Sequence, residues 1–223
     1  MYWKDEGYLI SKNNFDENSI IIEAFTLNHG KHTGIVYGGS SRKLKKIFQI
    51  GNKILLNMKS KSENKMGYFG TELIKPIAPL YFSDKKKSIC ILSSSTILKI
   101  LLPERQINKK IYYSFEKLMD NLSNSNWIRD YILWELSLIK ELGFEIDFLN
   151  KDKNSNKLNI DIELNSKYFK IPELLLTDNI NNLSKLKIKE ALNFNKNLIM
   201  ENFIIPNRLK LPISRNILET YYR

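Results

Sequence analysis

The sequence predicts an α+β protein in several parts: an N-terminal five-stranded OB-fold β-barrel, a helical domain, and a small C-terminal α/β portion. Three observations support this: five short strand patterns within about 78 residues, a helical period from about Phe82, and a polar break over 150–159. With 43% hydrophobic residues among 223, the chain can form packed cores. We expect boundaries at 1–79, 80–147 and 148–223.

The five strand patterns are short and separated by turns, which favours a small closed or partly open barrel over a larger sandwich. They read WKDEGYLISK, NSIIIEAFTL, KHTGIVY, KILLNMKSK and GYFGTELIK, and Pro76 and Pro79 end the series. A tight hairpin connection is expected at His29 and Gly30. The fourth pattern alternates between an apolar face and a polar face, formed respectively by Ile54, Leu56 and Met58 and by Lys53, Asn57, Lys59 and Lys61.

The helical domain is predicted from three segments: SICILSSSTILKILLPER, KKIYYSFEKLMDNLS and NWIRDYILWELSLIKELG. In the third, Asn126 is a candidate N-cap, Asp130 lies in the favourable first turn and Gly143 ends the helix. Its apolar surface is wide enough to predict burial against other helices, and comprises Trp127, Ile128, Tyr131, Ile132, Trp134, Leu138, Ile139 and Leu142.

Glu135 lies within that apolar surface and is interpreted as a paired structural carboxylate or, alternatively, as an acid with a raised pKa. Arg105 is the hypothesised partner. After the polar break, LNIDIEL and SKYFKI are predicted to pair as a small hairpin. Short helices are expected around 183–203, and a last one has Pro212 near its first turn.

Composition excludes several classes of protein. The single cysteine, Cys90, lies in an apolar run and is predicted to be a buried hydrophobe, so neither an intrachain disulfide nor paired CxxC zinc motifs are expected. The sequence has no run of about 18 apolar residues and starts without the apolar core of a signal peptide. A cytoplasmic protein is therefore expected.

Motifs of conventional active sites are missing. The two histidines, His29 and His32, do not belong to an HExxH pattern, and Gly38 and Gly39 match neither GxGxxG, GxxxxGK[ST] nor GxSxG. Asp161 and Glu163 alternate along a predicted strand and could share a cation, although a solvated strand face is the simpler interpretation. We therefore predict no catalytic residue, no metal and no cofactor.

The positive charge is concentrated in one part of the chain. Residues 31–65 carry nine basic side chains and one acidic one, which is +8 of the chain's net +11. An abundance of Lys, Asn and Ile, typical of AT-rich genomes, explains part of the basicity but not its clustering. A basic barrel with aromatic side chains is typical of nucleic-acid binding, in which charges follow phosphates and rings stack on bases.

Three aromatic residues near this charge, Tyr37, Phe48 and Tyr68, are each interpreted as core in preference to stacking platform. Gly38 and Gly39 would let the backbone turn sharply and approach a sugar–phosphate chain.

Five motifs in order carry a resemblance to a known family: WKDEGYLIS, LNHGKHTGIVYGGSSRK, QIGN, LLPER and WELSLIKELGF. Over roughly residues 1–147 the chain resembles the bacterial RecO recombination-mediator family. The resemblance implies an OB-fold followed by a helical domain, binding of single- and double-stranded DNA, strand annealing, and action in the RecF pathway of gap repair. It also implies the partners RecR and SSB, and assistance in loading RecA onto SSB-coated gaps.

Some members of the family carry a four-cysteine zinc site in the C-terminal region, which this sequence lacks. Ordinary packing, for example of Ile160, Ile162 and Phe169, is expected to replace it. The DNA-facing positions that we choose by this resemblance are Lys31, His32, Arg42, Lys43, Lys45 and Lys46, with Lys53, Lys59 and Lys61 as second choices. Their expected role is phosphate neutralisation, without base readout.

Three alternatives remain open at the level of sequence. The same basic barrel would serve an RNA-binding OB-fold protein. A nuclease would need clustered carboxylates and a divalent metal ion. An adaptor that binds SSB alone is compatible with lysines that reflect genome composition only.

Overall fold

The computed structural model describes residues 1–41, 44–62, 65–144, 161–164, 167–176 and 183–222. The chain forms two compact units, Met1–Tyr113 and Ser114–Arg223. The first unit is longer than the predicted OB-fold domain, because the first long helix packs against a barrel strand.

The first unit contains the predicted five-stranded barrel. Its strands are β1 (Tyr2–Asn14), β2 (Ile20–Thr26), β3 (Gly30–Val36), β4 (Lys53–Lys59) and β5 (Gly67–Lys75). They close in the order β1-β2-β3-β5-β4, with β4 pairing back onto β1 and only a short parallel contact between β3 and β5. This connectivity is that of an OB-fold, and it confirms the predicted fold class.

The strands alternate as the sequence predicts, because successive side chains of a strand point to opposite sides of the sheet. Ile54, Leu56 and Met58 are buried inside the barrel, whereas Lys59 is exposed. Phe48, from the connection between β3 and β4, also belongs to this core. The buried cluster consists of Trp3, Leu9, Ile20, Ile22, Ala24, Val36, Phe48, Ile54, Leu56, Met58 and Phe69.

Helix α1 (Lys85–Leu101) follows a 3-10 turn at Ala78–Tyr81. Its N-terminus is capped by Asp84, whose carboxylate accepts hydrogen bonds from the amides of Lys86 and Lys87, each at 3.1 Å. Cys90 is fully buried in this helix, as predicted. Helix α2 (Lys109–Asn121) begins in the first unit.

The second unit is built around α3 (Trp127–Glu141). The predicted apolar surface of this helix is buried, apart from Leu142, which is half-buried. Asp130 lies in the first turn, and Gly143 follows the helix with φ 96°, both as predicted. Asn126 occupies the predicted N-cap position, but its side chain makes no capping hydrogen bond.

Glu135 is a fully buried, paired carboxylate, as predicted, but its partner is Arg215 and not Arg105. The Arg215 guanidinium contacts both carboxylate oxygens, with Nε and Nη2 at 2.5 Å and 3.1 Å, and Tyr131 donates a hydrogen bond of 2.6 Å. Burial disfavours the charge of Arg215, but the adjacent carboxylate outweighs burial and raises the pKa of the guanidinium. This buried pair fixes the last helix, α6 (Ile213–Thr220), against α3.

The C-terminal region contains the predicted hairpin of β6 (Asp161–Leu164) and β7 (Lys167–Lys170). Helix α4 (Glu173–Leu176) and helix α5 (Lys185–Ile199) follow, and a π-helical segment at Met200–Ile204 continues α5. Phe169 is half-buried. The polar break at 150–159 and Ile160 lie outside the described residues, as do the side chains of Asp161, Ile162 and Glu163.

Two kinds of feature are missing from the described part of the chain. No group of three or more His, Cys, Asp or Glu side chains in that part of the chain could hold a metal ion. None of the described helices is long and apolar enough to cross a membrane.

Candidate nucleic-acid interface

The outer surface of the barrel has two faces that differ in what covers them. We call the outer side of β2 and β3 the covered face, because the C-terminal end of α1 and the segment after it lie on it. The open face is the outer side of β1, β4 and β5 around Tyr2, Lys59 and Tyr68. The predicted DNA-facing side chains are divided between the two faces, the barrel interior and the connection between β3 and β4.

Lys31 belongs to the covered face and is 8% exposed. Its Nζ donates a 2.7 Å hydrogen bond to the main-chain oxygen of Lys99 in α1, and it lies 3.8 Å from the Glu104 carboxylate. The main chain of Lys31 also accepts a 2.8 Å hydrogen bond from the Arg105 amide. Lys31 therefore joins β3 to its own chain, and this placement argues against the predicted phosphate contact.

His32 points into the barrel, where its ring meets Trp3 with centroids 5.0 Å apart. Burial, followed by the positive charge of Arg105 and by His29, lowers the pKa of His32 to about 4. A neutral, buried imidazole offers no charge to a phosphate at pH 7. The structure therefore argues against His32 as a DNA contact as well.

His29 lies beside His32 and belongs to the same interior cluster. Its ring stacks on Trp3 with centroids 4.2 Å apart, and its Nδ1 lies 2.9 Å from the Asp5 carboxylate. Burial pushes the pKa of Asp5 up, but hydrogen bonds from His29, Asn28 and the Glu6 amide outweigh burial and lower it. This arrangement fixes the predicted hairpin connection to β1.

Lys53, one of the second choices, is also engaged. Its Nζ lies 2.8 Å from the Glu6 carboxylate, and it sits 5.8 Å and 5.9 Å from the ring centroids of Tyr8 and Tyr112. An ammonium group held by a carboxylate and two rings is less able to pair with a phosphate than a solvated one.

Lys59 is different, because it is exposed on the open face. Strand pairing places it directly opposite Tyr2 on one side and Tyr68 on the other. Directly opposed residues project from the same side of a sheet, so the three side chains form one row. Tyr2 and Tyr68 are 64% and 40% exposed, which leaves both rings and the ammonium group open to solvent.

The loop from β4 to β5 adds positive charge next to this row. Lys61 and Lys65 are exposed there. The Ser60 hydroxyl lies 2.6 Å and 3.1 Å from the main-chain oxygens of Ser62 and Lys65, so its single proton links the described residues on both sides of this loop.

Tyr37 joins the open face from the turn after β3. Its ring stacks on Tyr68 with centroids 4.9 Å apart and planes inclined by 19°, and it is 63% exposed. A hydrogen bond between the two hydroxyls raises the pKa of Tyr37. The sequence favoured a core position for Tyr37, Phe48 and Tyr68, and the structure bears this out only for Phe48.

Gly38 and Gly39 shape the turn that presents Tyr37, each in a different way. Gly38 has φ 68°, which favours glycine, and a Cβ there would meet open space. A Cβ on Gly39 would lie 2.5 Å from Cγ1 of Ile20 in the barrel core. Close approach to a sugar–phosphate chain is therefore compatible with Gly38, whereas Gly39 serves internal packing.

The basic segment after this turn is described in part. Lys46 is exposed at the end of a 3-10 turn, Leu44–Lys46, and Leu44 and Ile47 pack against the barrel core. Arg42 and Lys43 lie outside the described residues, as does the side chain of Lys45.

Strand register also defines where the positive surface ends. Two rows along from Lys59, Leu55 is opposed by Glu6 on β1 and by Glu72 on β5. Glu72 is exposed, so the open face changes from positive to negative along β5.

Tyr2 was missed by sequence reasoning. The signal that could have found it is the alternation of side chains along β1. Trp3 and Asp5 are buried, so Tyr2 and Lys4 lie on the opposite, outer side.

The chain matches two family models. The model described as Recombination protein O N terminal covers residues 1–77, and the one described as Recombination protein O C terminal covers residues 83–159. Together the two matches span well over half of the 223 residues.

Curated proteins give the same result. The chain is 35% identical over 147 residues to the DNA repair protein RecO of Cereibacter sphaeroides (strain ATCC 17029 / ATH 2.4.9) and 33% identical over 147 residues to that of Roseobacter denitrificans. It is 35% identical over 149 residues to the DNA repair protein RecO of Wolbachia sp. subsp. Drosophila simulans. Each alignment covers 66% of this chain and 61% of the relative, so the match spans less than two thirds of these relatives' length. With the OB-fold barrel and the two consecutive family matches, the chain belongs to the recombination protein O family.

Proposed function

We propose that this protein is a non-enzymatic DNA-binding recombination mediator that acts in DNA repair. The observation that carries the proposal is the exposed positive charge of the barrel unit: Lys59 on β4, Lys61 in the loop after it, and Lys46 in the connection between β3 and β4. The names of the relatives, DNA repair protein RecO, support the repair role.

Phosphate neutralisation explains the binding. Exposed ammonium groups release condensed counterions when they pair with phosphates, which makes affinity salt-dependent and largely independent of sequence. A surface of this kind binds single- and double-stranded DNA, and it anneals complementary strands by screening their repulsion while their base edges stay free to pair. No bond is made or broken in this process, so no catalytic residue is needed.

Family membership supports the wider role. In the proposed pathway the protein cooperates with RecR, contacts SSB on gapped DNA and assists the loading of RecA, within the RecF pathway. These partners follow from the resemblance alone, and the barrel surface carries only the DNA-binding part of the proposal.

The proposed DNA site is a reduced form of the predicted one. It keeps Lys46, Lys59 and Lys61, together with Arg42, Lys43 and Lys45 from the basic segment. It omits Lys31, His32 and Lys53, whose side chains are buried or engaged with other groups of the chain.

Charge reversal tests the site. The triple variant Lys46→Glu, Lys59→Glu and Lys61→Glu should bind single-stranded DNA at least about tenfold more weakly near 0.1 M salt, and its log–log salt slope should fall by about 2. The measurement is fluorescence anisotropy of a labelled oligonucleotide at several salt concentrations. A correctly folded variant that binds with unchanged affinity would contradict the placement.

The matched control is Lys185→Glu, Lys189→Glu and Lys210→Glu, which makes the same change in net charge at exposed positions of the second unit. We expect this control to lose much less affinity than the barrel variant. Equal losses would show that net charge matters and the barrel surface does not. Competition with RNA oligonucleotides tests the RNA-binding alternative, and annealing with and without SSB tests the mediator role.

A further inference from the structure

We infer that the stacked pair Tyr37 and Tyr68, in the row with Lys59 and Tyr2, is a stacking site for unpaired bases, so that the open face selects single-stranded over duplex DNA. This inference rests on the proposed function and adds which form of DNA the site takes. The proposed lysines alone do not discriminate, because both forms carry phosphates.

The exposure of these rings is the first argument. Tyr2, Tyr37 and Tyr68 are 64%, 63% and 40% exposed, although aromatic side chains contribute most to stability when they are buried. Three exposed rings on one face of a small barrel form an apolar surface of the kind that marks a binding site.

The rings are also held in place before any ligand arrives. Tyr68 is fixed on β5, opposite Lys59, and Tyr37 is held against it by ring stacking. A rigid platform binds with a smaller loss of conformational entropy than mobile side chains do.

Positive charge and aromatic rings are combined on the open face. Lys59 lies between Tyr2 and Tyr68 at cross-strand distance, and Lys61 and Lys65 follow in the adjoining loop. A single strand presents flat bases joined to negative phosphates, so alternation of ring and cation is complementary to it. A duplex keeps its bases stacked inside and can use only the cations.

The other face of the barrel, by contrast, is occupied by the chain itself. OB-folds commonly bind oligonucleotides on the face of strands 2 and 3. Here Lys99 of α1 lies 2.7 Å from Glu23 on that face, and the Phe25 ring meets Tyr112 with centroids 5.7 Å apart. The chain itself fills this surface, whereas the part of β1, β4 and β5 around Tyr2, Lys59 and Tyr68 is exposed and can take a strand of DNA. The exposed acid Glu72 limits the path of that strand along β5.

The experiment compares bases with abasic residues on the unmodified protein. An oligothymidine should bind markedly more tightly than an oligonucleotide of equal length made of abasic sugar phosphates, because only the first can stack. Equal affinity for the two would overturn the inference, and this arm does not depend on any variant folding.

Variants then test whether Tyr37 and Tyr68 are the residues on which the bases stack. The change Tyr37→Leu with Tyr68→Leu keeps apolar bulk but removes the rings, and it should weaken oligothymidine binding roughly 5- to 150-fold for each stacked base lost. Duplex and abasic binding should change less than about twofold. The control Tyr37→Phe with Tyr68→Phe keeps the rings and should retain most of the affinity. Far-ultraviolet circular dichroism checks that both variants are folded.

The outcomes separate this inference from the proposed function. If the leucine variant binds all three ligands like the unmodified chain, while charge reversal weakens binding, the lysine site stands and the stacking site is wrong. If neither the leucine variant nor the charge-reversal variant changes the affinity for DNA, the proposed DNA site itself is wrong. If the leucine variant loses oligothymidine and duplex binding equally, the rings support the fold and the stacking inference is overturned.

Discussion

Lys31 and Lys59 come from the same basic segment and both project from the outside of the barrel, yet one is buried and the other is exposed. Lys31 on the covered face is 8% exposed and bound to the chain through Lys99 and Glu104, whereas Lys59 on the open face stands in solvent between two tyrosines. The difference arises from what the chain does after the barrel. The end of α1 and the residues after it lie on the outer side of β2 and β3, and α1 also packs against β1, so the outer surface stays open around Tyr2, Lys59 and Tyr68.

A count of positive charges along the sequence therefore indicates a candidate segment for DNA binding. It does not indicate which ammonium groups of that segment are exposed to solvent. On the covered face the lysines stabilise the fold, and their substitution should change the free energy of unfolding. On the open face the lysines contribute little to stability, and their substitution should change the affinity for DNA. The two faces therefore predict opposite phenotypes for the same kind of mutation.

The largest expected effect is that of Lys31→Glu. The new carboxylate would be buried beside the Glu104 carboxylate and the Lys99 main-chain oxygen, so we expect a loss of about 3 kcal/mol or more in the free energy of unfolding. Lys59→Glu should change that free energy by less than about 0.5 kcal/mol. Urea unfolding measures both values.

Lys31→Met is the control, since it removes the charge but keeps the apolar stem, and it should lose less stability than Lys31→Glu. Comparable stability of the two glutamate variants would remove the distinction between the faces. So would a folded Lys31→Glu variant whose loss of DNA affinity matches that of Lys59→Glu.

Much of the fold could be predicted from local patterns. The alternation of Ile54, Leu56 and Met58 fixed the inner side of β4, and the positions of Asp130 and Gly143 marked the ends of a helix, because these signals act over a few residues. Partners distant in the sequence could not be predicted in the same way. Glu135 was recognised as a paired acid, but its partner lies 80 residues away, on a helix that no local signal connects to it.

The candidate site shows the same limit. The basic segment was found from its charge, but the burial of Lys31 depends on a contact with Lys99, 68 residues later. Tyr37 and Tyr68 were assigned to the core because apolar rings usually are. Tyr68 is exposed because it alternates with buried Gly67 and Phe69 on β5, whereas the stacking of Tyr37 on it joins two segments that are distant in the sequence.

The second expected effect is a pH dependence that originates inside the barrel. Because burial lowers the pKa of His32 from 6.5 to about 4, the unfolded chain binds a proton more readily than the folded one between these values. Stability should therefore fall as the pH falls, by about 2 kcal/mol between pH 7 and pH 5. The lowered pKa of Asp5 acts in the same direction but only below about its ordinary value of 3.8.

The measurement is urea unfolding at both pH values, followed by the NMR signals of the His32 and Trp3 rings, which report on the first unit. His32→Gln should remove most of the difference. Since His29 is the only other histidine, a direct NMR titration is simple to assign. A titration midpoint for His32 near 6.5 would show that its ring is open to water, contrary to the interior position described.

The smallest expected effect concerns the acidic end of the open face. Glu72 projects from β5 on the same side as Tyr68, and its charge opposes a phosphate chain that continues in that direction. Glu72→Gln should therefore raise the affinity for single-stranded DNA by about two- to threefold at low salt, with the gain disappearing as salt screens the repulsion. Anisotropy titrations measure it, with Glu190→Gln on α5 as a control of equal charge change. A gain shared equally by both variants would reflect net charge alone, and a loss at Glu72 would place the strand elsewhere on the barrel.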